Sequence, residues 1–410
     1  PEIPLTFFFT LTMYYFLKGF ELRKSKYMTL GFIMLGLSVL TKGFPYIIVI
    51  GGIIGLYILA KNSLNWKKIW EDIKLMKIHI GLPVMLLIGL SWIIFMYIKD
   101  GADFWEIYYR ETFGRALNKK TNGPKPFFYL EVISWSILPY SLAFFFAIIK
   151  WAKDWKTAST VLFPFCWFIV MLVIFTTAKG KIPTYMIQAH PALVLMIVPL
   201  LLSYSPKPKI WRGLWSASFL FPTVLIIAAN IIMIQQLALN PLTYAAPLLG
   251  SLILVHFHFR KVESKNTLLV AAPFWIILLF LFCFATVLPR LEKFRPYDEI
   301  GKIINTSHEV DPKTPILIEA TLIHNIPFYT KRLAERDMTP KQINEKTGET
   351  LALIREESLP LISGFDSLWS GYIYDFPSES QFAKFIMACV NAEKGDLSKF
   401  AKYHLVHRAQ

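Results

Sequence analysis

Apolar runs long enough to cross a lipid bilayer recur along the chain until about residue 288 and then stop. A hydrocarbon core of about 30 Å takes roughly 20 apolar residues in a helix. The pattern predicts ten membrane helices, at about 5–20, 28–41, 44–60, 79–98, 128–149, 158–177, 184–203, 213–235, 242–257 and 267–288. The second and third are parted only by Thr41, Lys42 and Gly43 before the breaker Pro45, which predicts a helical hairpin. Beyond 288 the runs shorten. TPILIEA and LPLISGF read as buried strands, SESQFAKFIMACVNAEK has helical spacing, and KYHLVHR reads as a last strand. The expected fold class is therefore an α-helical polytopic membrane domain over 1–288, followed by a small α/β domain over 289–410.

Composition agrees with that class. Of 410 residues, 55% are hydrophobic and only 17% charged, against about 25% in an average soluble domain. The net charge of +15 is expected from basic loops facing lipid headgroups, not from nucleic-acid binding. Three cysteines, Cys166, Cys283 and Cys389, make neither a disulfide framework nor a metal cluster. The chain opens PEIPLTFFF, without Met or a charged leader, and reads as the middle of a longer protein.

Alternate loops differ in charge: one set, from Lys18 to Lys265, carries 18 basic residues and the other 9. The positive-inside rule makes the richer set cytoplasmic, so the tail lies outside. Lys42, Arg115, Lys179 and Lys181 then form a group of cations on the outer side, against the general bias. Fixed positive charge at a membrane surface suits an anionic phosphate, with lysine as a point charge and arginine as a planar fork. Snorkelling of helix-end lysines to the interface is the plainer alternative, and both stay open here. FWEIYYRETFGRAL, residues 104–117, reads as an aromatic helix in the interface with Glu111 and Arg115 paired at i, i+4. Arg115 could meet a lipid phosphate while Glu111 positions it or binds a divalent metal; an ordinary surface salt bridge is the alternative. Glu2 precedes the first apolar run on the outer side, where a carboxylate could serve as a general base or simply be solvated. His190 lies inside a membrane helix, as a proton relay or a histidine bonded to a nearby carbonyl.

Several stretches together resemble the polyprenyl-phosphate-dependent membrane glycosyltransferases of the GT-C fold, particularly the lipid A aminoarabinose transferases and their protein-mannosyltransferase-like relatives. PEIPLTFFF with LGLSVLTKGFP resembles the family's Asp-x-Pro-Leu helix and Leu-Thr-Lys-Gly-Pro turn. TTAKGKIPTYMIQAHP resembles its Ser-Lys-x-Lys-Leu-Pro-x-Tyr signature, and IPFYTKRL its Phe-Tyr-x-x-Arg piece. The resemblance implies a multi-pass protein of the bacterial inner membrane with a periplasmic C-terminal domain. It implies an undecaprenyl-phosphate-linked sugar donor and a lipid A, other glycan or protein acceptor. By matching positions, Lys42, Arg115, Lys179 and Lys181 would hold the donor phosphate, with Glu111 and Tyr185 supporting and Glu2 near the catalytic cleft. The family's main acidic residue is expected upstream of Pro1. Thr112 stands where the family often has His, and Gln188 where it has Pro. The rival class is a transporter or lipid flippase, which would place polar groups near the bilayer midplane.

Overall fold

A computed structural model of the chain describes residues 2–110, 126–154, 159–178, 180–203, 209–237, 288–307, 310–319, 326–374 and 382–409, with scattered positions between 240 and 285. The chain divides into two compact units, residues 1–222 with 257–273, and residues 223–256 with 274–410.

In the first unit the helices are α1 (Glu2–Leu22), α2 (Ser25–Lys42), α3 (Pro45–Lys61), α4 (Trp66–Met76), α5 (Ile78–Tyr109), α6 (Phe128–Ser136), α7 (Ser141–Asp154), α8 (Ser159–Thr177) and α9 (His190–Ser203). A 3-10 helix over Pro183–Ala189 leads into α9, and α10 (Lys209–Gln236) runs from the first unit into the second. Among the described residues, Ile78–Tyr109, Thr160–Thr177 and Pro183–Leu202 are long and apolar enough to span a membrane. The segments predicted at 242–257 and 267–288 fall largely outside the described residues.

On α1 the buried positions Leu5, Phe9, Met13, Phe16 and Phe20 recur at helical spacing and form one stripe. Phe9 lies 5.5 Å from the Trp167 ring of α8, and Phe16 sits edge-on to Phe32 of α2 at 5.2 Å. Packing between α2 and α5 is close because Gly81 faces Phe32: a Cβ there would come within 2.0 Å of the ring.

The helices expected at 79–98 and from 104 both form within α5, parted by a kink at Gly101, whose φ of 62° and ψ of −136° are open to glycine alone. Two other sequence expectations are corrected. The helix expected over 128–149 is two, because Pro139 lacks the N–H a continuing helix needs. Between α3 and α5, where only a basic loop was expected, stands α4. Its Ile69, Asp72 and Met76 are buried on one side and its Trp66, Lys67, Lys68 and Trp70 are exposed. The side chain of Asn65 caps it by accepting from the N–H groups of Lys67 and Lys68. Asp72 pins α4 to the helix ends around it: it pairs with Arg23 and with Lys61 at 3.3 Å, and accepts from Asn62 at 2.8 Å.

The second unit carries a five-stranded mixed sheet of β1 (Ile316–Ile318), β2 (Ala334–Glu335), β3 (Thr350–Arg355), β4 (Asp366–Tyr374) and β5 (Phe400–Arg408), in the order β2-β1-β3-β5-β4. β1 is parallel to β2 and β3, while β5 is antiparallel to β3 and β4. The unit's described helices are α11 (Leu288–Glu292), α12 (Tyr297–Thr306), α13 (Ile326–Thr330), α14 (Pro340–Glu345) and α15 (Phe382–Glu393). LPLISGF is no strand: Glu356–Leu361 forms a 3-10 turn containing Pro360, and the strands lie on either side of it. Arg332, the arginine of the IPFYTKRL motif, is buried and donates to the carbonyls of Val310, Asp311 and Thr314. It clamps the loop leading into β1.

Candidate functional site

Chain geometry brings the first charges together. α1 and α2 form an antiparallel pair of similar length, so the start of α1 and the end of α2 meet at one end. Glu2 stands in the first turn of α1 and Lys42 in the last turn of α2, each where its charge complements its own helix dipole. The Lys42 ammonium donates to Glu2 Oε1 in an ion pair whose side chains are 22% and 23% exposed.

The opposite wall comes from the 3-10 helix of TTAKGKIPTYMIQAHP. Pro183 opens it, where a missing N–H costs nothing. Tyr185 lies beneath Lys42, with Nζ 5.1 Å from the ring centroid, a cation–π contact. Gln188, fully buried, donates from Nε2 to Glu2 Oε2 at 3.1 Å. Its Oε1 is buried and has no hydrogen-bond partner among the described residues. One carboxylate is thus held by an ammonium on one oxygen and an amide on the other.

Lys181 is 6% exposed, and its ammonium donates to the Ala178 carbonyl at 3.0 Å. The Tyr129 hydroxyl of α6 donates to the Ile182 carbonyl at 3.3 Å and ties this joint to the bundle. His190 is engaged at both ring nitrogens: Nδ1 donates to the Met186 carbonyl at 2.9 Å, which leaves Nε2, 3.1 Å from Ser136 Oγ, as acceptor. That is the arrangement of a histidine that shapes a helix start.

Beyond Gly101, α5 turns towards the same end. Phe104 and Tyr108 stack at 5.7 Å. A Cβ on Gly43, whose φ is 103°, would lie 3.5 Å from the Tyr108 hydroxyl. The aromatic segment therefore closes over the turn that carries Lys42.

The structure gathers Glu2, Lys42 and Tyr185, and sets Lys181 a few residues before Tyr185. Arg115, Glu111 and Lys179 lie outside the described residues. Gln188 was marked in the sequence only as a departure from a proline, yet it contacts the Glu2 carboxylate directly. The available signal was an amide in an otherwise apolar helix start. Among the described residues no group of three His, Cys, Asp or Glu could hold a metal ion.

Comparison with known proteins bears on the family. A family model described as dolichyl-phosphate-mannose-protein mannosyltransferase matches residues 1–108. A protein of Aquifex aeolicus (strain VF5) with no assigned function is 28% identical over 95% of this chain and 74% of its own length. An undecaprenyl phosphate-alpha-4-amino-4-deoxy-L-arabinose arabinosyl transferase of Pseudomonas aeruginosa (strain LESB58) is 24% identical over 47% of this chain and 34% of its own length. One from Photorhabdus laumondii is 29% identical over 27% of this chain and 20% of its own length. The chain thus spans about a third of one of these transferases and a fifth of the other. The crystal structure of ArnT from Cupriavidus metallidurans bound to undecaprenyl phosphate has the same fold, with a TM-score of 0.65 over 90% of this chain and 72% of that one at 16% identity. The chain thus shares the ArnT fold, and its first 108 residues resemble the mannosyltransferase family model. In this chain the Leu-Thr-Lys-Gly turn and the Pro-x-Tyr stretch face each other across the Glu2 carboxylate.

Proposed function

We propose that this protein moves a sugar from an undecaprenyl-phosphate-linked donor to a cell-envelope acceptor (lipid A, another glycan or a protein) at the periplasmic face of the bacterial inner membrane. Residues 1–288 act as the membrane domain and 289–410 as the periplasmic domain in this reading. The observation that carries it is the Lys42 ammonium at the membrane-helix end, backed by the Tyr185 ring and, among the described residues, countered by Glu2.

The donor phosphate exchanges for the Glu2 carboxylate on Lys42, with Lys181, Lys179 and Arg115 completing the cationic lining. The acceptor hydroxyl loses its proton to a carboxylate acting as general base. Its oxygen attacks the anomeric carbon opposite the phosphate. The bond from that carbon to the phosphate oxygen breaks, its electron pair leaves with undecaprenyl phosphate, and the sugar inverts. Cations fixed before the reaction stabilise the charge growing on the leaving phosphate, a contribution of about 3–4 kcal/mol per donor in comparable sites.

A labelled undecaprenyl-phosphate-sugar transfer assay on the full-length protein tests this. Lys42→Ala, Arg115→Ala and Lys179→Ala are each expected to lower transfer and donor binding together. Unchanged transfer in all three rejects the assignment. Sugar-independent flux of substrate across vesicles would favour a transporter instead.

A further inference from the structure

Along α3 the first unit contains an apolar cavity of about 420 Å³. Phe32 of α2, Gly51 and Gly55 of α3 and Leu82 of α5 wall it, and Trp66 and Ile69 of α4 floor it. Its lining on α3 runs from Ile47 to Leu59, about 18 Å at 1.5 Å per residue. One leaflet of a bilayer has a hydrocarbon depth of about 15 Å, half of the usual core. The groove therefore matches one acyl chain of one leaflet and is short for a polyprenyl chain. Gly51 and Gly55, one turn apart, leave it open: a Cβ on either would meet no atom within 4 Å.

The floor has the character of a membrane-surface helix. Trp66 and Trp70 of α4 are 77% and 58% exposed, as aromatic side chains at headgroup depth are. Lys67, Lys68, Lys74 and Lys77 are exposed beside them, with Glu71 the exposed acid among residues 66–77. The other acid, Asp72, is buried and paired with Arg23 and Lys61. A basic amphipathic helix under an apolar groove complements one kind of molecule, an anionic lipid.

We propose that this groove binds an anionic phospholipid, one acyl chain lying along Gly51 and Gly55 and the headgroup against Lys67 and Lys68. The headgroup end of the site, on α4, lies at the opposite helix ends from Glu2 and Lys42. It rests on the chain being a membrane protein and is independent of sugar transfer.

The test uses the full-length protein in detergent, with thermal unfolding followed during titration with phosphatidylglycerol or phosphatidylcholine. The wild type is expected to be stabilised at lower concentrations of phosphatidylglycerol. Lys67→Gln with Lys68→Gln removes two surface cations and weakens the phosphatidylglycerol response roughly 30-fold, leaving that to phosphatidylcholine unchanged. Gly51→Leu with Gly55→Leu fills the groove and abolishes both responses, along with the phospholipid that copurifies. Equal responses of the wild type to both lipids overturn the proposal. So does an unchanged phosphatidylglycerol response in the lysine variant, whose exposed positions leave folding intact. So does retention of copurified lipid by the leucine variant, which would give the groove to a protein segment.

Discussion

Whether Lys42 serves a phosphate or only neutralises Glu2 is decided by a double-mutant cycle. Glu2 and Lys42 are each under a quarter exposed, and Glu2 has one further partner, Gln188 at 3.1 Å. Lys42→Met leaves a half-buried carboxylate with a single amide donor. Glu2→Gln leaves the ammonium over the Tyr185 ring without its carboxylate counter-charge. Each single change should cost about 1–3 kcal/mol of stability, the penalty for losing one partner of a desolvated polar contact. The double variant should recover much of that, because no uncompensated charge remains. Transfer should behave differently. A charge-assisted contact to phosphate is worth about 1.5–3 kcal/mol, so kcat/KM should fall roughly 10- to 150-fold in Lys42→Met. It should stay low in the double variant, where nothing replaces the cation. The assay pairs thermal unfolding in detergent with labelled-sugar transfer. Recovery of both stability and transfer by the double variant would refute the phosphate role and leave Lys42 as the counter-ion of Glu2.

Asp72→Asn should weaken the docking of α4 by about 1–3 kcal/mol, read as a lower melting temperature and faster proteolysis between α3 and α5; the effect stays moderate because Arg23 and Lys61 can rehydrate. Gly81→Ala drives a Cβ into the Phe32 ring and should destabilise by about 1–3 kcal/mol or more, whereas Gly51→Ala, facing open space, should be neutral or stabilising; comparing the two melting temperatures checks the α2–α5 contact. Burial alone would raise the Glu349 pKa, but hydrogen bonds from Thr314, His407 and the Asp311 N–H outweigh it and hold the carboxyl below its ordinary value. A depressed pKa means that Glu349 stabilises the sheet unit above about pH 4.5 and loses that contribution as pH falls through the lower folded value. Glu349→Gln should therefore lower stability at neutral pH and flatten the acid limb, measured by near-ultraviolet circular dichroism.

Hydrophobic period made the helices of the bundle legible. The stripe Leu5, Phe9, Met13, Phe16 and Phe20 is visible in sequence and is the buried face of α1. Lys42 could be assigned to the turn of a hairpin because Gly43 and Pro45 punctuate it. Hidden elements had competing signals. The lysines of α4 dilute its hydropathy, so an amphipathic helix looked like a basic loop. Pro139 sits inside an apolar run, and run length masked the break. LPLISGF has the composition of a strand, but Pro360 and Gly364 turn it, and the pairing that defines β3 and β4 comes from β5, tens of residues further along. The contact of Gln188 with Glu2 joins residues 186 positions apart, a distance no local pattern encodes.

Gly101 gives the protein an unusual division of labour. The helix before it is fixed by packing against α2, and the aromatic stretch after it reaches the Lys42 turn only because one residue can adopt a conformation closed to all others. The direction of that stretch is thus set apart from the bundle that supports it. Relatives could lengthen, shorten or swing the covering segment by changes around one position, leaving the paired helix ends beneath it untouched. Evolution could in this way reshape the cover while keeping the ion pair beneath it.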